Sequence, residues 1–352
     1  MAEDVENYVM PVLHSGYIGE GNVSCIFEKC FGLFIDNKNA VVVNSGTSAI
    51  TLALVLAGVR HGSRVISSPM TCLATNMAIL SMGANIVWAD ILPDGTIDPK
   101  NVADILVDNE INAVVCMDWG GLPCKLKELH ELTHEYNIPL IEDACQSIGS
   151  YYNNNHVGSD ADYVAFSFQA IKHLTTGDGG ALAINTGSDM IEKAKMLRWF
   201  GLDRTKGADM RCNQDPPVAG YKWQMNDIAA SIGMANLVTL EARLELTRKH
   251  ALEYNKAFDR ISDYGRISGY WLYTIYMDDV EAFITYMRDN DVECSRVHDR
   301  NDKKTIFKKF STELPGVDYF DKHHVCIPVG WWLSDSDVQK IISLIKAFGW
   351  KR

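Results

Sequence analysis

Between residues 40 and 185, short runs of Val, Ile and Ala alternate with longer stretches of helical apolar spacing, and this alternation constrains the fold most strongly. Ala40-Val41-Val42-Val43 precedes a helical stretch at 47–58, and Arg64-Val65-Ile66 precedes another at 74–82. Asn85-Ile86-Val87-Trp88, Ala113-Val114-Val115-Cys116, a helical stretch at 125–136 and Pro139-Leu140-Ile141 continue the pattern. Strands that are apolar without alternation are covered on both faces. Helices between them therefore predict an α/β fold with a mostly parallel central sheet flanked by helices. The runs 163–168 and 180–184 close the series around a Thr/Gly-rich turn.

Beyond Met225 the pattern turns helical over 227–240 and 243–261. An aromatic strand at 270–276 follows, then helices near 280–290 and 334–348. This predicts a large domain over 1–240, and a connector helix with a small C-terminal α+β domain over 241–352.

Composition narrows the function. A net charge of −12 argues against nucleic acid or an anionic membrane as partner, since both call for clustered Lys and Arg. No apolar run approaches the length of a membrane span, and Met1-Ala2-Glu3-Asp4-Val5-Glu6 has no leader character, so a cytoplasmic enzyme is expected. Nine scattered cysteines without a Cys-x-x-Cys pair read as reduced thiols. His323-His324 lacks metal-ligand spacing, so no metal is expected.

Four segments carry chemistry. Asn44-Ser45-Gly46-Thr47-Ser48-Ala49 joins a strand to a helix, where small residues and free amides suit an anion, although a plain N-cap explains it equally well. Pro139-Leu140-Ile141-Glu142-Asp143-Ala144-Cys145-Gln146 ends a strand on an acid that could hold a ligand cation or merely cap the next helix. Phe166-Ser167-Phe168 leads to Lys172 and Thr175-Thr176-Gly177-Asp178-Gly179-Gly180. A partly buried lysine there becomes a nucleophilic amine, and a snorkelling surface lysine is the plainer alternative. Lys222-Trp223-Gln224-Met225-Asn226-Asp227 says little alone beyond a helix cap. In this order the segments supply what pyridoxal 5′-phosphate (PLP) needs: an amine, an acid for the pyridine nitrogen, and donors for the phosphate.

At these residues the chain resembles the DegT/DnrJ/EryC1/StrS sugar aminotransferases, PLP enzymes of fold type I with an aspartate-aminotransferase-like fold. Ser15-Gly16-Tyr17-Ile18-Gly19-Glu20-Gly21, Ser45-Gly46-Thr47-Ser48-Ala49, Glu142-Asp143-Ala144-Cys145-Gln146 and Ser167-Phe168 with Lys172 carry the resemblance, which covers nearly the whole chain. It implies that Lys172 forms the Schiff base, that Asp143 faces the pyridinium nitrogen and that Gln146 lies near the 3′-oxygen. Gly46, the amides of Thr47 and Ser48, and Ser167 would hold the phosphate. Cys72 stands where many relatives stack an aromatic ring on the cofactor. Members are homodimers with shared sites, so Lys222 or Gln224 would reach the partner's phosphate. His173 follows the lysine, and an adjacent side chain points elsewhere, so transamination is expected rather than dehydration.

The resemblance further implies glutamate as amino donor and a nucleotide-linked keto-6-deoxyhexose as acceptor. C4 amination of a dTDP- or GDP-linked 4-keto sugar, of viosamine or perosamine type, is the expectation. A 3-keto sugar enzyme and a non-catalytic binding protein are the alternatives. Arg198, Arg204, Lys206, Arg211, Arg296, His298 and Arg300 are candidates for the anionic nucleotide, and Trp331-Trp332 is expected to pack in the small domain's core.

Overall fold

The computed structural model describes residues 1–205, 213–260 and 265–350. Strands β1 (Ala40–Val43), β2 (Arg64–Ser67), β3 (Asn85–Trp88), β4 (Ala113–Met117) and β5 (Leu140–Asp143) alternate with helices. A short hairpin of β6 (Tyr151–Tyr152) and β7 (Asn155–His156) precedes β8 (Tyr163–Ser167) and β9 (Gly180–Ile184). The main sheet runs β1-β9-β8-β5-β4-β2-β3. Its β3-β2-β4-β5-β8 portion is parallel, and β9 is antiparallel to both β8 and β1. No helix intervenes between β8 and β9, so the chain returns antiparallel and leaves an irregular loop at the sheet edge. Lys172 lies in that loop.

Every residue of β1, β4, β5, β8 and β9 is buried, as two-sided cover requires. Successive side chains feed opposite faces: Val41, Val43, Val115, Ile141 and Ala165 join one apolar cluster, whereas Val42, Val114, Cys116, Leu140 and Phe166 join the other. A third cluster gathers Tyr273, Ile275, Phe283, Val325, Ile327 and Val338 around the antiparallel pair β11 (Tyr273–Tyr276) and β12 (His324–Ile327), which follow the two-residue β10 (Arg266–Ile267). Phe307, Val317 and Phe320 pack instead into the first cluster, so the chain past Arg300 returns to the main sheet.

Three expectations are corrected. The helices read as 227–240 and 243–261 are Asp227–Val238 and Leu240–Ala257, which abut at Thr239. The aromatic strand starts only at Tyr273, because Tyr270 adopts a left-handed backbone (φ +53°) that no strand accepts. The tryptophan pair does not fill a core: Trp332 is 61% exposed, and Trp331 lies beneath the Arg243 guanidinium at 4.6 Å. The terminal helix Asp335–Phe348 begins with a reciprocal capping box between Ser334 and Asp337. Among the described residues no helix is long and apolar enough to cross a membrane.

Candidate active site

The C-terminal ends of β1, β2, β5 and β8 lie at one edge of the sheet, and the loops leaving them carry the chemistry-bearing residues. After β1, Ser45 caps the helix Gly46–Leu56: its Oγ accepts the Ser48 N–H at 3.0 Å, and Ser48 Oγ donates to Asn44 Oδ1 at 2.7 Å. The Ser48 amide is thereby taken. The Gly46 and Thr47 amides, in the first turn, have no intrahelical acceptor and sit at the positive end of the helix dipole. Gly46 is required by proximity, since a Cβ there would stand 2.8 Å from Ser167 Cβ and 2.9 Å from Cys145 Sγ. Ser167 Oγ accepts the Gln169 N–H at 3.3 Å, which leaves its own proton to give.

Asp143 ends β5 with both carboxylate oxygens engaged once. Thr75 Oγ1 donates to Oδ2 at 2.6 Å, and the Cys145 N–H donates to Oδ1 at 3.1 Å. The remaining lone pairs of the carboxylate are free for a ligand cation. Thr75 sits on the helix Leu73–Ser81, whose N-terminal flank is Cys72. Burial, reinforced by Asp143, pushes the Cys72 thiol up, against the pull of the Ala74 amide and Lys172.

Lys172 Nζ lies 3.7 Å from the ring centroid of Trp271. Burial pulls its pKa below the usual lysine value, with Cys145, Asp143 and Cys72 opposing. Among the described residues no carboxylate pairs with it. Trp271 donates its indole N–H to the Ile171 carbonyl at 2.9 Å and lies nearly parallel to His298, with centroids 6.0 Å apart. Gln146 completes the chain. Its Oε1 accepts the Gly120 N–H at 2.8 Å, so its Nε2 is the donor toward His298 Nε2 at 2.9 Å. His298 is therefore neutral, with its proton on Nδ1. Burial, aided by Lys172 and His324, lowers its pKa to about 4, in agreement. Burial also lowers His173 to about 4, and its partner is the Tyr270 backbone.

The other expected nucleotide ligands are not brought here. Arg198 is buried, donating to Glu28 Oε2 and Glu20 Oε1, each at 2.8 Å, and to the Val42 carbonyl at 2.6 Å. Arg204 pairs with the same Glu20 carboxylate. Arg296 donates to the Asp321 carbonyl and to Glu281. Arg300 is buried and donates to the Asp302 and Asp318 carboxylates. These arginines brace the fold because nearby acceptors consume their donors, and only His298 of the five joins Lys172. Lys222 exposes its side chain while its carbonyl accepts from Asn44 Nδ2 at 3.3 Å, and Gln224 bridges to Val43 in the backbone. Lys206 and Arg211 lie outside the described residues. Sequence reasoning missed Thr75 and Trp271. Thr75, in the first turn of a helical stretch and four residues after Thr71, was a usable signal for the first, and only an aromatic run marked the second.

These residues fit PLP: a half-buried amine without an acidic partner, an edge carboxylate with free lone pairs, and a glycine turn with open amides beside a free hydroxyl. Among the described residues no cluster could hold a metal ion. Comparisons with known proteins agree. The model of the DegT/DnrJ/EryC1/StrS aminotransferase family matches residues 1–346. The UDP-4-amino-4,6-dideoxy-N-acetyl-β-L-altrosamine transaminase of Campylobacter jejuni is 36% identical over 236 residues, 66% of this chain and 61% of that protein, so the match spans under two thirds of the relative. The spore coat polysaccharide biosynthesis protein SpsC of Bacillus subtilis is 29% identical, covering 96% of this chain and 92% of its own. The structure of the sugar aminotransferase CalS13 from Micromonospora echinospora superposes with a TM-score of 0.93 at 31% identity, covering 99% of this chain and 98% of that one.

Proposed function

The chain belongs to the DegT/DnrJ/EryC1/StrS aminotransferase family, whose cofactor is PLP, and from that premise we propose that it moves an amino group from glutamate to C4 of a nucleotide-linked 4-keto-6-deoxyhexose. The observation that carries this reading is the meeting of three parts at one sheet edge: the Lys172 amine, the Asp143 carboxylate and the Gly46 turn. Bound there, PLP supplies the electron sink that lets a C–H proton leave beside the nitrogen being transferred. Lys172 Nζ is the group that takes and returns that proton, and its burial keeps the amine closer to the neutral form a base requires. Asp143, oriented by Thr75, would hold the ring nitrogen's proton. The amides of Gly46 and Thr47 and the hydroxyl of Ser167 would bind the phosphate. Gln146, aligned by Gly120 and His298, would face the ring oxygen.

The C4 position draws support from the C. jejuni relative, whose name carries a 4-amino-4,6-dideoxy sugar on UDP. UDP therefore joins dTDP and GDP as a carrier to be screened. Glutamate as donor, a homodimer with shared sites completed by Lys222 or Gln224, and a cytoplasmic setting are parts of the same proposal.

The test is an absorbance spectrum of the protein with PLP, for wild type and Lys172→Ala. A lysine-dependent visible band that bleaches on adding glutamate is expected, and a UDP-, dTDP- or GDP-linked 4-keto-6-deoxyhexose should restore it. A band that is independent of Lys172, or one restored only by 3-keto sugars, overturns the reading or its C4 assignment respectively.

A further inference from the structure

We infer that Trp271 is the positioning residue for the free Lys172 amine: its ring face holds Nζ whenever that nitrogen is not bonded to cofactor, and His298 and Gln146 hold the ring. The inference rests on the reading that Lys172 is the amine PLP engages. Its grounds are geometric. Nζ stands 3.7 Å from the indole centroid, where the negative face of the ring attracts an ammonium, and among the described residues no carboxylate forms an ion pair with it, Asp143 acting only at longer range. The indole N–H donates to Ile171, the residue preceding Lys172, so the ring and the lysine's own turn are tied together. Nearly parallel to the ring lies His298, which Gln146 keeps neutral and oriented. A cationic histidine there would repel the amine, and a neutral one does not.

The backbone is bent to make this arrangement. Tyr270, immediately before Trp271, has φ +53°, and Val297, immediately before His298, has φ +64°. A β-branched residue in the left-handed region is a true outlier, and such outliers persist only where the surroundings enforce them. Both outliers precede the two stacked rings. An ordinary core tryptophan requires neither, and Trp271 is only half-buried.

The consequence concerns the proton on Nζ. Burial favours the neutral amine and the ring face favours the charged one, so Trp271 sets how readily Lys172 gives up its proton. Trp271→Leu removes the ring face while keeping apolar cover, which isolates the cation–π contribution from water exclusion. The experiment is competitive acetylation of the full-length protein, freed of PLP by dialysis against hydroxylamine. The Lys172 peptide is followed by mass spectrometry from pH 6 to 11. In Trp271→Leu the midpoint for Lys172 should fall by about one pH unit, and its labelling near pH 8 should rise several-fold, roughly tenfold at most. Trp271→Phe, which keeps a ring face, should stay closer to wild type than Trp271→Leu does. An unchanged or raised midpoint in Trp271→Leu overturns the inference, a rise showing that the ring only excludes water. A Phe variant that shifts as far as Leu overturns it as well, and this second variant keeps the test open should the first fold poorly. Because the readout comes from cofactor-free protein, it succeeds or fails independently of the lysine-dependent band that tests the proposed function.

Discussion

Thr75 Oγ1 stands 2.6 Å from Asp143 Oδ2, and since a carboxylate only accepts, the hydroxyl must donate to it. Its single proton being committed, the 2.9 Å contact with Thr71 Oγ1 runs from Thr71 to Thr75. The two hydroxyls form a one-way relay that fixes the carboxylate expected to face the PLP ring nitrogen. Thr75→Val keeps the volume and deletes the donor. A hydrogen bond to a charged group contributes about 1.5–3 kcal/mol, so the Kd for PLP should rise roughly tenfold to a hundredfold. Thr71→Val, one step further back, should cost less. Titration of the visible band with PLP measures both, and equal affinity for wild type and Thr75→Val would show that the relay does not orient Asp143.

Gly180 opens β9 against the turn expected to bind phosphate. A Cβ there would stand 2.6 Å from the Ser45 carbonyl carbon and oxygen and 2.7 Å from the Gly46 nitrogen, all backbone atoms that cannot swing aside. Gly180→Ala should therefore displace the Gly46 turn, costing about 1–3 kcal/mol of stability as overpacking does. It should also weaken PLP binding more than it weakens the fold. Thermal melts with and without PLP check this. A variant that melts lower but gains as much from PLP as wild type would detach Gly180 from the cofactor site.

Arg198 illustrates where sequence reading stops. A basic residue in an aromatic-rich stretch reads equally well as a nucleotide ligand or a brace. The deciding partners, Glu20 and Glu28, lie 178 and 170 residues away in the chain. The strands of the main sheet were legible because burial between helices leaves an apolar run, whereas β6, β7 and β10 carry no such run of their own and, with β12, were not read. Lys172, Asp143, Gln146 and the Gly46 turn were legible because each follows a main-sheet run. Trp271 and His298 were not recognised as a pair. Their contacts join Trp271 to Ile171 across 100 residues and His298 to Gln146 across 152, and a left-handed Tyr270 breaks the expected strand. Periodicity reports on faces of single elements, not on which loops meet.

The brace has its own expected outcome. Removing one member of a buried ion pair leaves the others uncompensated, at a cost of about 3–5 kcal/mol. Arg198→Met should lower the unfolding free energy by that order, while KM for the nucleotide sugar changes little in the protein that remains folded. Denaturant unfolding and steady-state kinetics together decide. A raised KM without loss of stability would return Arg198 to the substrate site.

Beside Asp143 in β5 lies a second carboxyl group with a different task. Glu142 is fully buried, and neither of its oxygens receives a hydrogen bond from a neutral donor. Its neighbour is Asp118, also fully buried, which accepts from Ser147 Oγ at 2.6 Å and from the Cys124 N–H at 2.9 Å. Two carboxylates in contact need a proton between them, and Asp118 already has donors, so Glu142 carries it. Burial, reinforced by Asp118, pushes Glu142 well above its ordinary 4.5, and burial raises Asp118 from 3.8 to about 6. Both groups thus bind protons more tightly folded than unfolded. Their contribution to stability is complete below pH about 4 and is lost as pH rises, through about 6 for Asp118 and higher for Glu142. Glu142→Gln supplies a permanent N–H toward Asp118 and removes one titration. Its melting temperature should fall less steeply than that of wild type between pH 5 and 8, so the gap between the two moves in the variant's favour toward pH 8. Parallel melting curves across that range would mean that the pair does not share a proton in the folded protein.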